Sequence, residues 1–297
     1  MYDDQRQQSR EGVIDPSRRE FIVLSVAAGL AASGHTMAAT ALPVVVDEVV
    51  IKTADGQCDA AFIHPATGRY AGVIVWPDAF GLRPAMRDIG TRLAAEGYSV
   101  VVPNPFYRIG KAPMYENAAS VDFQNPVDRA KLQPLVASIN AAGAAETDVV
   151  ALVGFLDAQS HVDRARKIGT HGYCMGGALA VRSAARVPER IGAAASFHGG
   201  GLVTDKPDSP HRIAPKINAR MYFGVAANDD ARQPDAKDKL KEAFAAAKVP
   251  AEIEVYPAKH GWCVPDMPAD GGAPIYSKPD AERAWSKLVA LYGTALA

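Results

Sequence analysis

Three cysteines in 297 residues, at positions 58, 174 and 263, are too few and too widely spaced for a disulfide framework or a zinc cluster. A net charge of −1, from 32 basic and 33 acidic side chains, gives no electrostatic case for nucleic acid. The apolar stretch from Phe21 to Ala32 is too short and too rich in small residues for a secure membrane span. No internal repeat and no low-complexity run interrupts the chain, and nothing in it implies a metal or a cofactor. What is present is a globular composition, 48% hydrophobic and 22% charged, sufficient for one large domain or two small ones.

The first residues read as a targeting segment. After a polar stretch from Met1 to Asp15, Ser17-Arg18-Arg19-Glu20-Phe21-Ile22 resembles a twin-arginine export signal, and Ala39-Thr40-Ala41 supplies an A-x-A cleavage site. Residues 1–41 are therefore expected to engage the twin-arginine export machinery, and 42–297 to form the mature domain in the periplasm or outside the cell. An uncleaved arm or anchor is the plainer reading of the same residues. An exported thiol must also survive an oxidising compartment.

From Val44 onward, strand and helix patterns alternate as a mainly parallel sheet requires. Val44 to Lys52 and Asp59 to His64 form a hairpin at the sheet edge. Ala71 to Trp76 and Tyr98 to Val102 are apolar runs suited to strands covered on both faces. Helices are expected over Pro84–Glu96, Ala141–Ala158, Asp235–Lys248 and Asp280–Tyr292. Further strands fall at Gly192–Phe197, Arg220–Ala226 and Glu252–Tyr256, and Tyr107–Gln133 reads as a long irregular excursion. Right-handed crossovers make a doubly wound α/β sheet in a single domain the economical topology.

The chemistry centres on His171-Gly172-Tyr173-Cys174-Met175-Gly176-Gly177. A strand end, a glycine-flanked nucleophile and a helix make a nucleophile elbow, with cysteine where serine is usual. Gly172 and Gly176 leave room for a sharp turn that larger neighbours would obstruct. The turn places the sulfur at a helix N-terminus, which favours a thiolate, and aims the Met175 amide at a developing oxyanion. The plainer alternative is a buried structural cysteine. A base and an orienter belong on later strand ends. One strand runs into Ala227-Asn228-Asp229-Asp230, and another into Pro257-Ala258-Lys259-His260. Asp229, nearer the strand end, is preferred to Asp230, which is placed to start the next turn or cap a helix. His198-Gly199-Gly200-Gly201 looks like an esterase oxyanion motif but follows the nucleophile, so it reads as a strand-end turn whose histidine could line the pocket.

Gly172-Tyr173-Cys174-Met175-Gly176-Gly177, Asp229 and His260 together resemble the dienelactone hydrolase family (carboxymethylenebutenolidase-like proteins) of α/β-hydrolases. The resemblance spans roughly Val44 to Tyr292. It implies an α/β-hydrolase fold and a Cys174–Asp229–His260 triad. Trp76-Pro77-Asp78-Ala79-Phe80-Gly81 matches the loop that supplies an oxyanion amide, here from Ala79, and a carboxylate restraining the resting thiol, here Asp78 in place of glutamate. Pro103-Asn104-Pro105-Phe106-Tyr107-Arg108 matches the segment with an active-site arginine, so Arg108 is a candidate to bind a substrate carboxylate or pair with Asp78. Trp262 is a candidate pocket wall with Trp76, Phe80 and Tyr107. The family's second arginine, shortly after the histidine, has no counterpart in His260-Gly261-Trp262-Cys263-Val264, which argues against dienelactone itself.

The expected activity is hydrolysis of a small ester or lactone by acyl transfer to Cys174, without metal or cofactor. A redox thiol protein is the first alternative, which a Cys174–Cys263 disulfide would mark. A non-catalytic binding protein on a hydrolase fold is the second.

Overall fold

The sheet is built from strands whose side chains alternate between two apolar layers, and the computed structural model describes residues 20–22, 41–122 and 125–297. Strands β2 (Val44–Thr53) and β3 (Gly56–Pro65) form the edge hairpin, and β1 (Glu20–Ile22) pairs antiparallel with β2. The rest of the sheet comprises β4 (Ala71–Trp76), β5 (Tyr98–Pro103), β6 (Ile168–Tyr173), β7 (Ile191–Phe197), β8 (Arg220–Ala226) and β9 (Ala251–Tyr256). The order is β1-β2-β3-β5-β4-β6-β7-β8-β9, and every neighbouring pair from β5 to β9 is parallel. The fold is thus a single-domain, mainly parallel α/β sheet with an antiparallel hairpin at one edge.

Period-two alternation distributes the core. Val73 and Val75 of β4 face a layer that includes α1 (Pro84–Ala95) and α7 (Lys278–Ala295), while Ile74 and Trp76 face the opposite layer. That opposite layer holds α3 (Ala144–Ala158) and α4 (Met175–Arg186), with α6 (Ala236–Ala246) beyond. All six residues of β4, β5 and β6 are buried, as strands covered on both faces should be.

Two expectations need correction. The excursion after Tyr107 ends at α2 (Pro126–Asn140), so its last eight residues are helical. The Asn125 side chain accepts a hydrogen bond from the Val127 amide and Pro126 occupies the first turn; this start signal lay hidden in a stretch rich in Pro and Asn. The next helix begins at Ala144 rather than Ala141, because Gly143 adopts a left-handed φ of 78° ahead of it. Two further elements are α5 (Ala227–Arg232) and a small hairpin of β10 (Ala269–Asp270) and β11 (Ala273–Pro274). The proposed export signal, 1–41, lies outside the described residues except for 20–22 and 41.

Candidate active site

Cys174 stands between the last residue of β6 and the first of α4, with φ 53° and ψ −117°. An L-residue is held there only when its surroundings over-determine it. Steric closeness supplies part of the constraint. A Cβ at Gly172 would lie 2.0 Å from the Gly176 carbonyl oxygen, and one at Gly176 would lie 2.3 Å from that of Trp76. Hydrogen bonds supply the rest. The Cys174 N–H donates to the Phe197 carbonyl and to His198 Nδ1, both at 3.1 Å. Its carbonyl accepts from Gly177 N–H at 3.0 Å and Gly200 N–H at 3.1 Å. The turn after β7 therefore clamps the peptide of the elbow on both sides. His198 is itself at φ 40° and buried, and its ring meets that of His260 edge-on at 4.7 Å. Because Nδ1 accepts, the ring carries its proton on Nε2. Burial, followed by the nearby His260, pushes its pKa well down and keeps it neutral. The sequence offers this residue as part of a strand-end turn that could line the pocket, and it does border the larger cavity at Cys174; the hydrogen bond from the elbow to its ring nitrogen was not readable there.

Asp229 arrives on α5 at the end of β8, and His260 follows β9. His260 Nδ1 and Asp229 Oδ2 are 2.6 Å apart, and the His260 N–H donates to Asn228 Oδ1 at 2.8 Å. Asn228, unremarked in the sequence, thus fixes the histidine's backbone while its neighbour fixes the ring. Asp230 points elsewhere, to Lys237 at 2.7 Å. Burial works against an imidazolium at His260. The charge and hydrogen bond of Cys174 and the bond to Asp229 outweigh it, raising the pKa to about 10. Stability from this raised value is complete below the ordinary histidine pKa of about 6.5 and is lost as pH climbs through about 10. Cys174→Ala removes the largest of the raising contributions, so the His260 midpoint is expected to fall by about one unit or more, read from imidazole NMR shifts across pH 5–11. An unchanged midpoint would mean that Cys174 does not share a proton with His260.

Asp78 is buried but does not face the thiol as its main partner. Both its oxygens meet Arg83, at 2.7 and 3.0 Å, and Oδ1 accepts the Phe80 N–H at 2.9 Å. Arg83 is fully buried and grips Asp266 from its other edge, at 2.7 and 2.8 Å. Although Asp266 is partly buried, its bond to Arg83 and the guanidinium charge hold its carboxyl below the usual range. Asp266 also accepts the Ala118 N–H at 2.9 Å. Arg83, not Arg108, pairs with Asp78, which removes one of the two roles for which Arg108 was a candidate. Arg108 instead binds Asp55 and Asp148, at 2.7 and 2.8 Å, and buttresses the edge hairpin. Trp262 is fully buried, stacked on Tyr256 at 4.7 Å and edge-on to His198 at 5.2 Å, so it is core beneath the site rather than pocket wall.

Two cavities meet at Cys174, and Ala79 borders both. One, of 640 Å³, contains His260 and His198 with apolar side chains such as Phe80, Val121, Met267 and Ile275. The other, of 370 Å³, contains Met175, Ala178 and Val136, with Thr204, Lys206 and Ser209. The Met175 and Ala79 amides, expected to face an oxyanion, have no backbone acceptor among the described residues. All three cysteines are free. Burial pushes the Cys58 thiol up to about 12 and Cys263 well up, and Cys263 faces a separate cavity between α1 and α7. Among the described residues no cluster suited to a metal ion occurs.

A mainly parallel sheet flanked by helices, with Cys174 on a strand-to-helix elbow, is the α/β-hydrolase fold. Residues 58–296 match the model of the dienelactone hydrolase family, and the chain belongs to that family and is a hydrolase. A Methylorubrum extorquens protein provisionally named carboxymethylenebutenolidase is 28% identical over 285 residues, spanning 92% of this chain and 91% of its own length. The carboxymethylenebutenolidase of Rhodococcus opacus is 25% identical over 212 residues, spanning 68% and 74%. The crystal structure of a protein provisionally described as a dienelactone hydrolase, from Klebsiella pneumoniae, superposes with a TM-score of 0.70 at 25% identity, covering 84% of this chain and 99% of that one.

Proposed function

We propose that the protein hydrolyses a small ester or lactone through a thioester on Cys174. The observation that carries this reading is the convergence of Cys174, His260 and Asp229 at one sheet edge, with Asp229 and His260 joined at 2.6 Å and Cys174 and His260 lining one cavity. His260 takes the thiol proton, and the sulfur adds to the substrate carbonyl. The Met175 and Ala79 amides stabilise the resulting oxyanion. The alcohol leaves with the proton held by His260, and Cys174 keeps the acyl group. Water, deprotonated by His260, then attacks the thioester; the acid departs and the thiol recovers its proton. Asp229 orients the imidazole and stabilises its charged form without accepting the proton.

Activated esters and enol lactones suit a thiolate better than peptides do. The family name points to dienelactone, but the segment after His260 carries no arginine for a substrate carboxylate and Arg108 is committed to Asp55 and Asp148. The residues Ser17 to Ile22 support export through the twin-arginine route, with the mature chain in the periplasm. The redox alternative has less support, since Cys263 faces away from the cavities at Cys174.

The test is mass spectrometry of the 42–297 chain quenched during turnover of aryl esters, enol lactones and dienelactone. An acyl adduct on the peptide containing Cys174, absent from His260→Ala, is expected. Turnover without any such adduct would remove the thioester route.

A further inference from the structure

The two cavities at Cys174 differ in position, size and chemistry, and the proposed reaction assigns a different half of the substrate to each. We infer that the 640 Å³ cavity receives the leaving alcohol and the 370 Å³ cavity the acyl group. This rests on the acyl-transfer reading above. In the tetrahedral intermediate the carbon on the sulfur has three other substituents. The oxyanion must face the Met175 and Ala79 amides. The leaving oxygen must receive its proton from His260, which borders only the larger cavity. The acyl chain is left with the remaining direction, over Met175, into the smaller cavity.

The linings then describe a substrate class. The alcohol side is walled by Phe80, Val121, Met267 and Ile275, with Asp122 and Asp270 also on its lining and with no lysine or arginine besides Arg232, which pairs with Asp229, so it favours a neutral group over an anion. An apolar aryl or enol leaving group fits there. The acyl side is lined by Ala178 and Val136 together with Asn140, Thr204, Lys206 and Asp208, so it suits a short chain whose tail accepts hydrogen bonds from Thr204 or Lys206. The favoured substrate is an aryl or enol ester of a small acid with a polar tail, its larger half departing first.

Ala178→Phe and Val136→Trp would fill the acyl cavity, and Ala269→Trp the alcohol cavity; none of these residues belongs to the triad or supplies an oxyanion amide. The probes are phenyl acetate, 4-methylumbelliferyl acetate, 4-nitrophenyl hexanoate and 4-nitrophenyl hemiglutarate. Filling the acyl side is expected to lower kcat/KM for the hexanoate by roughly tenfold or more while leaving both acetates within about threefold. Ala269→Trp is expected to lower 4-methylumbelliferyl acetate by roughly tenfold and phenyl acetate by less than about threefold. The unmodified chain should accept the hemiglutarate at least as well as the hexanoate. Melting temperatures and phenyl acetate turnover identify any variant that is simply misfolded, and the second acyl-side variant replaces the first in that case. A reversed pattern, with acyl-side variants discriminating by alcohol, would overturn the assignment while adducts on Cys174 keep the acyl-transfer reading intact. A hexanoate preference of tenfold would overturn the polar-tail class, and absence of any adduct with all four esters would sink both.

Discussion

Alanine at position 174 is expected to lower kcat/KM on any hydrolysed ester by about 10⁴-fold or more, because among the described residues no other thiol and no hydroxyl lines the larger cavity with His260. His260→Ala should cost a similar amount, and the double variant little more, since the two act as a unit. Fold stability should change little. The thiol is partly exposed, and the elbow is fixed by its glycine contacts and by hydrogen bonds to the backbone of residue 174, all of which alanine retains. Steady-state kinetics beside a thermal melt separates the outcomes. Activity above a tenth of the original would take Cys174 out of the chemistry. A collapse of the melting temperature would make it a structural cysteine.

Arg83→Met carries the largest expected effect on stability. It strands two carboxylates, Asp78 fully inside and Asp266 partly so, that now share one guanidinium. Breaking a buried ion pair from one side costs about 3–5 kcal/mol, because the partner left behind keeps its desolvation penalty. For a chain of this size that is a drop in melting temperature of roughly 10 °C. Adding Asp78→Asn and Asp266→Asn should restore much of it, since neutral amides are cheaper to leave unpaired. The depressed Asp266 pKa gives the sign with acid: its contribution is present above the ordinary carboxylate pKa and is lost as pH falls through the folded value. Denaturant unfolding of the single and triple variants checks this. Equal midpoints for Arg83→Met and the parent would show that the guanidinium supports neither loop.

The strands and the order of the segments that carry Cys174, Asp229 and His260 were legible because they are local. Val73, Ile74 and Val75 announce a doubly covered strand by their own side chains, and Gly172 and Gly176 announce a crowded turn by lacking them. Asp229 was preferred to Asp230 from strand-end geometry, and Asp229 is the carboxylate that meets the imidazole. What sequence could not supply was pairing across distance. Whether Asp78 meets Arg83 or Arg108 depends on which way each loop folds, and both arginines follow strand ends at similar remove. His198 illustrates the same limit: the residue was visible, but the direction of its ring depended on a backbone turn at φ 40°.

The Arg83–Asp266 link also bears on how the site comes into being. It joins residues 183 apart in the chain, and the bond from Ala118 to Asp266 joins residues 148 apart. Contacts of that span close large loops, so their entropic cost falls late, after neighbouring strands and helices have formed. The rim of the larger cavity is therefore among the last parts of the molecule to assemble. During refolding, ester hydrolysis should return after the helical and sheet signal has recovered.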